Sequence, residues 1–197
     1  METMGKLAAL LGDIRACQLC AAELPYGPRP IVQAGRQARL CIVGQAPGRK
    51  VHETGIPWND ASGRRLREWI GLSPAQFYDP EKVAIVPMAF CYPGKAAAGD
   101  KPPRPECAPR WHARLLAELP HVQLMLLVGL YAQVSYLGAG RKATLTDTVR
   151  AWREYLPIGR LPLPHPSPRN QLWLVRNPWF EMDLVPTIQA AVRSLRL

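Results

Sequence analysis

No stretch of this 197-residue chain approaches the roughly 18 consecutive apolar residues that a membrane span needs. The first residues do not read as a secretory leader either. The apolar run Leu7–Leu11 is too short for a signal-peptide core, and no small-residue cleavage site follows it, so a cytoplasmic protein is expected. Internal repeats and low-complexity segments are absent. Acidic residues are scarce: 15 Asp and Glu face 25 Lys and Arg, leaving a net charge of +10. An excess of that size points to a polyanionic partner, nucleic acid before membrane surface; a basic enzyme with no such partner is the plainer alternative.

What is present suits a globular enzyme. The length fits one domain spanning residues 1–197, and 48% hydrophobic residues is enough for a sizeable core. The 21 prolines exceed the average share of about 5% and are dispersed, which implies long ordered connections. Leu7, Leu10, Leu11 and Ile14 recur at helical spacing and predict an amphipathic helix over 5–16. Residues 21–37, rich in Pro and Gly, read as irregular. Arg39–Val43, Val83–Val86 and Val122–Val128 are apolar runs stopped by Gly44, Pro87 and Gly129, and read as buried strands. Arg160–Leu163 reads as an edge strand. Helices are predicted over 62–71 (Ser62 as cap, Gly71 as stop), 109–119, 131–137 and 183–197. The proline-dense segment 91–106 is expected to lack regular structure.

Strands apolar throughout must be covered on both faces. The expected fold is therefore a three-layer α/β/α sandwich with a central, mainly parallel four-stranded sheet. In such sheets ligands bind beyond the carboxyl ends of the strands, which directs attention to 44–60, 87–107, 129–131 and 164–170.

Five cysteines are present. Cys17 and Cys20 form a C-x2-C pair, Cys91 and Cys107 flank the proline-rich loop, and Cys41 falls inside a strand, where it reads as a small buried hydrophobe. A reducing compartment disfavours disulfides. Four thiolates outside the strands could hold one zinc ion or one iron–sulfur cluster, and spacing alone does not separate the two.

Gly44-Gln45-Ala46-Pro47-Gly48 after the first strand and His165-Pro166-Ser167-Pro168-Arg169-Asn170 after the last resemble the two motifs of the uracil-DNA glycosylase superfamily. Thr54–Trp58 is similar to the segment whose aromatic residue stacks on the flipped base. Asp60-Ala61-Ser62-Gly63 resembles a segment of the family-five enzymes. The cysteine spacing matches the iron–sulfur branch, families four and five, which implies a 4Fe–4S cluster on Cys17, Cys20, Cys91 and Cys107, with zinc as the alternative. The second motif is itself more similar to the single-strand-selective branch. The resemblance runs from Cys17 to the last helix. It implies a base-excision repair glycosylase, a monomer, that acts on uracil- or damaged-base-containing DNA, single- or double-stranded.

Two departures matter. Ala46 stands where some families carry Asp or Asn and cannot orient water, although families four and five also have alanine there. Pro87 aligns with an asparagine that reads the base edge in uracil-strict members, so a broadened base range is expected.

Breaking an N-glycosidic bond leaves a base anion and an oxocarbenium-like sugar. Within the resemblance, His165, rigidly presented between Pro164 and Pro166, would donate to the anion. Asp60 would position the water, with helix capping as its ordinary alternative and Glu53 as the fallback acid. Trp58 would stack on the extruded base. Gly44, Gln45, Ala46 and Pro87 would line its pocket, Gln45 mainly through its backbone, and His52 would contact substrate or phosphate. Ser167, Arg169 and Asn170 would bind the DNA backbone, helped by Lys95, Lys101 and Arg104. His112 and His121 read as structural. A non-catalytic damaged-DNA-binding module of the same fold, or a basic zinc-ribbon-like protein, would also carry several of these features.

Overall fold

The computed structural model describes residues 2–97 and 99–197. Four strands, β1 (Leu40–Val43), β2 (Val83–Ile85), β5 (Leu124–Val128) and β6 (Arg160–Leu163), form one sheet in the order β2-β1-β5-β6. Every pairing is parallel. Between β2 and β5 a two-stranded antiparallel hairpin, β3 (Lys95–Ala96) and β4 (Gly99–Asp100), stands apart from the main sheet. The helices are α1 (Glu2–Arg15), α2 (Arg49–Thr54), α3 (Ala61–Ile70), α4 (Pro74–Phe77), α5 (Cys107–Ala117), α6 (Leu130–Leu137), α7 (Leu145–Arg150), α8 (Trp152–Tyr155), α9 (Gln171–Arg176) and α10 (Val185–Ser194).

Alternation along each strand sorts side chains between two cores. Leu40 and Ile42 of β1, Val83 and Ile85 of β2, and Leu124, Leu126 and Val128 of β5 pack with Leu66 and Ile70 of α3 and Ile188 and Val192 of α10. Cys41, Val43, Ala84 and Leu127 point the other way and pack with Leu7, Leu10 and Ile14 of α1 and Trp111 and Leu115 of α5. Cys41 is fully buried, and burial alone pushes its thiol up to about 12. It is a core residue, as expected. Pro162, which has no N–H for a ladder, sits on β6 at the sheet edge.

Several expected boundaries are corrected. Asp60, not Ser62, caps α3: its Oδ1 accepts from the Gly63 N–H at 2.8 Å. The segment 91–106 is not wholly irregular, because it contains the β3–β4 hairpin. The predicted closing helix is split into a π-helical turn, Phe180–Leu184, and α10. The short helices α2, α4, α7, α8 and α9 add to those expected from the sequence.

Candidate active site

Because the four strands run in one direction, the segments that leave them emerge at one end of the sheet. They enclose a cavity of about 510 Å³, within the range of small-ligand sites. Gly44, Gln45, Ala46, Trp58, Asp60, Pro87, His165, Ser167, Arg169 and Asn170 all lie on its wall. So do Ile31, Ser62, Gly99 and Asp100, for which no role there was expected, and Lys101, expected among the phosphate-binding residues.

The wall after β1 is built by close approach. The Gly44 and Gln45 carbonyls accept from the Met88 and Ala89 N–H groups at 2.9 and 3.0 Å. These bonds tie the first motif to the chain that continues β2. A Cβ on Gly44 would come within 2.9 Å of Trp58 Cζ2, so only glycine lets the indole lie there. Trp58 itself adopts φ +55, rare for a bulky side chain. Backbone strain of this kind persists only where the surroundings enforce it, and it clusters at functional sites. Here the Trp58 carbonyl is pressed against Gly63, where a Cβ would sit 1.7 Å from the oxygen. The indole ring stands 5.6 Å from the His165 imidazole, tilted by 32°.

His165 is held at two points. The Ser167 N–H donates to its Nδ1 at 3.2 Å, and the Asn170 Nδ2 donates to its carbonyl at 2.7 Å. Ser167 Oγ in turn accepts from the Arg169 N–H at 3.3 Å. With Nδ1 accepting, the neutral ring carries its proton on Nε2. Burial lowers the His165 pKa, while the negative charges of Asp60 and Asp100 pull the other way. Desolvation is the larger effect, so the ring is a neutral N–H donor at neutral pH.

The two other polar residues expected in this region stand off the cavity wall. Val51 is the buried, cavity-lining residue of α2, so His52 and Glu53, each a further 100° or so around the helix, are turned elsewhere. The Glu53 carboxylate pairs with exposed Arg49 at 2.8 Å. The His52 ring lies 6.0 Å from both Tyr26 and Tyr92, and its pKa is lowered, first by burial and then by the charge of Arg29. His112 is structural, as expected: Nε2 donates to the Pro87 carbonyl at 3.0 Å and Nδ1 accepts from Tyr136 Oη at 2.7 Å. That bond fixes the backbone of a cavity-wall residue.

The family model described as Uracil DNA glycosylase superfamily matches residues 32–189. The chain belongs to the uracil DNA glycosylase superfamily. Membership supports a DNA glycosylase function and a DNA partner, and the matched stretch contains both strand-end motifs and the whole cavity wall apart from Ile31. No helix among the described residues is long and apolar enough to cross a membrane.

In this member of the superfamily, Cys17, Cys20, Cys91 and Cys107 line one small, largely apolar cavity. Cys17 follows α1, Cys20 precedes the turn Ala21–Glu23, Cys91 follows the β2 segment and Cys107 opens α5. The Phe90 N–H donates to Cys107 Sγ at 3.4 Å, and a backbone N–H of Arg29 points at Cys91. Burial pushes the Cys91 and Cys107 thiols up to about 11 and 12. Arg104 also lines this cavity, and its Nε is buried without a partner. Among the described residues, no three His, Cys, Asp or Glu side chains are placed to share a single metal ion.

Proposed function

We propose that this protein is a monofunctional DNA glycosylase that extrudes a deaminated base, uracil first, into the cavity and hydrolyses its N-glycosidic bond. The observation that carries the reading is the His165 arrangement. A desolvated imidazole, its Nδ1 taken by the Ser167 N–H, is left with an Nε2–H donor beside an aromatic ring on the wall of a cavity with room for an extruded nucleotide.

The chemistry follows from charge development. The bond from the sugar C1′ to the base breaks with both electrons going to the base, and negative charge gathers on its O2. A prepositioned donor from His165 Nε2 stabilises that anion more than the ground-state carbonyl, which is what accelerates the step. Trp58 stacks on the flipped base and offsets part of the cost of unstacking it from DNA. Asp60 spends Oδ1 on the α3 cap and keeps Oδ2 for a water. The water oxygen bonds to C1′ as its proton passes to Asp60. Ser167 and Arg169 meet the phosphates flanking the lesion, and Asn170 positions the His165 loop.

We infer that the four cysteines hold a 4Fe–4S cluster. Zinc requires all four sulfurs about 2.3 Å from one point. A cluster interposes its own iron–sulfide cage and accepts thiolates standing farther apart. The unpartnered Arg104 Nε and the N–H groups aimed at Cys91 and Cys107 suit an anionic group. The cluster would supply structural cross-linking of α1 to the proline-rich loop, and no step of the hydrolysis passes through it.

The test is single-turnover cleavage of a uracil-containing oligonucleotide, with alkali to cut the abasic product. His165→Ala is expected to slow cleavage by about 10²–10³, the cost of one positioned donor to a developing anion, with DNA binding retained. A loss below threefold would move the role elsewhere. A second reading, a module that holds damaged DNA without cleaving it, is favoured by the bare methyl of Ala46 and the ring of Pro87 on the cavity wall. Binding without cleavage by the unmodified protein would establish it.

A further inference from the structure

The proline-rich loop between Cys91 and Cys107 brings a second carboxylate to the cavity. The hairpin pairs Lys95 with Asp100 and Ala96 with Gly99, and the Lys101 N–H closes its base on the Gly94 carbonyl at 2.8 Å. Gly99 has φ +125, and a Cβ there would meet Arg169 Nη1 at 2.6 Å, so the hairpin abuts the second motif. The Asp100 Oδ2 lies 3.6 Å from where a Cβ on Gly48 would sit, so the same residue abuts the first motif. Its Oδ1 accepts from Tyr92 Oη at 3.3 Å, and Tyr92 is fully buried beneath it.

Among the described residues no cationic side chain pairs with Asp100 within salt-bridge distance. An unpaired carboxylate on the wall of a DNA-binding cavity repels phosphate and weakens ground-state binding. It is useful only where positive charge appears later. In this reaction positive charge appears on the sugar as the base departs. The field of Asp100 already reaches His165, alongside that of Asp60.

We propose that Asp100 is a second catalytic carboxylate, whose free oxygen faces the extruded nucleotide's sugar and stabilises its oxocarbenium character while Asp60 holds the water. The inference rests on the glycosylase reading above. As C1′–N cleaves, the electron pair leaves with the base, Asp100 meets the resulting positive charge without forming a bond, and water closes on C1′ with its proton going to Asp60. Attraction to a charge present only in the transition state raises the rate without tightening substrate binding.

Asp100→Asn removes the charge and keeps an acceptor for Tyr92, so a purely structural role would leave it silent. Single-turnover cleavage is expected to fall at least tenfold, with affinity for DNA unchanged or tighter and the melting temperature held. Tyr92→Phe, which keeps the charge, should lose less. A second measurement does not need cleavage. The full-length protein should bind DNA carrying a cationic azasugar at the lesion more tightly than DNA carrying a neutral abasic analogue. Asp100→Asn should reduce that preference at least fivefold. Cleavage by Asp100→Asn within threefold of the unmodified protein, or an undiminished preference for the cationic analogue, overturns the proposal. If the unmodified protein cleaves nothing yet the preference falls in Asp100→Asn, the glycosylase reading fails and Asp100 survives only as a cation-recognising group; if it cleaves nothing and the preference stays, both fall.

Discussion

Adding a single methyl group at Gly63 tests the strained corner on which the cavity depends. A Cβ at Gly63 would sit 1.7 Å from the Trp58 carbonyl oxygen, 2.6 Å from its carbon and 2.7 Å from its Cβ. All three are rigid, so the backbone at Trp58 must retreat by more than an ångström. Three contributions then add. Overpacking of this kind costs about 1–3 kcal/mol. Trp58, already at φ +55, is pushed further from its allowed region, at about 1–3 kcal/mol. The Asp60 cap depends on the Gly63 N–H, and its loss costs about 1 kcal/mol. Relaxation shares these terms, so a net of about 3 kcal/mol is expected for Gly63→Ala. For a chain of this size that corresponds to a fall of about 6–12 °C in melting temperature. The indole would leave its seat against Gly44 and His165, so cleavage should fall further than stability explains, by about tenfold at a temperature where the variant is fully folded. Calorimetry, tryptophan emission and single-turnover cleavage on one preparation check both parts. A melting point within 2 °C of the unmodified protein, together with unchanged cleavage, would refute the account of Trp58 as held in place by Gly63.

His165, His112 and His52 all have pKa values lowered first by burial. The unfolded chain therefore binds more protons than the folded one below about pH 6.5. The stability these residues contribute is fully present above that value and is lost as pH falls through the lower folded values. The melting temperature should drop by several degrees between pH 7.5 and 5, and His112→Gln should flatten that slope; an unchanged slope would remove His112 from the account. Cys17→Ser should give colourless, poorly folded protein, read by iron content and absorbance near 400 nm, and a folded variant with full iron content would sink the cluster assignment.

The sheet was legible in the sequence because its strands are short, wholly apolar and punctuated. Leu40–Val43 and Leu124–Val128 stand out against Gly44 and Gly129, and alternation between two cores leaves no polar position to confuse the pattern. The short helices were not legible, since α2, α8 and α9 span six residues or fewer, too few turns for a period to show. The helical form of 49–54 changes what the segment presents to the site. Read as an extended loop, 49–54 would bring His52 and Glu53 beside the motif; folded as a helix with Val51 inward, it turns them off the cavity wall. Asp60 and Ser62 are both good caps by residue type, and only the bond from the Gly63 N–H decides between them. The motif residues from Gly44 to Asn170 converge because parallel strands deliver their successors to one end. Asp100 had no such signal. It lies among prolines, and its place depends on a two-residue hairpin whose pairing leaves no hydrophobic pattern.

Selectivity depends on which polar groups of the wall remain free to read a base. The Gly44 and Gln45 carbonyls are already engaged by Met88 and Ala89, and the Asn170 Nδ2 donates to the His165 carbonyl. The Gln45 side chain lies over Gly129, where a Cβ would come within 2.7 Å of its Nε2. Pro87, on the same wall, offers neither a side-chain amide nor an N–H, and its carbonyl accepts from His112. Sharp discrimination arises when a wrong base leaves buried polar groups unpaired, and the Gly44, Gln45 and Pro87 carbonyls and the Asn170 Nδ2 are already engaged here. The unmodified protein is therefore expected to release at least one further deaminated or damaged base besides uracil, such as hypoxanthine, xanthine or an etheno adduct. Mispaired or single-stranded substrates should react fastest, because extruding the base costs less there. Pro87→Asn, which keeps the carbonyl that His112 holds and adds an amide at the base edge, should narrow the range toward uracil, by about tenfold or more in the ratio of cleavage rates. The measurement is a panel of oligonucleotides differing only in the lesion, at excess enzyme and long incubation. Release of uracil alone by the unmodified protein would show that backbone N–H groups, Trp58 and His165 suffice for selection, and the role given to Pro87 would be wrong.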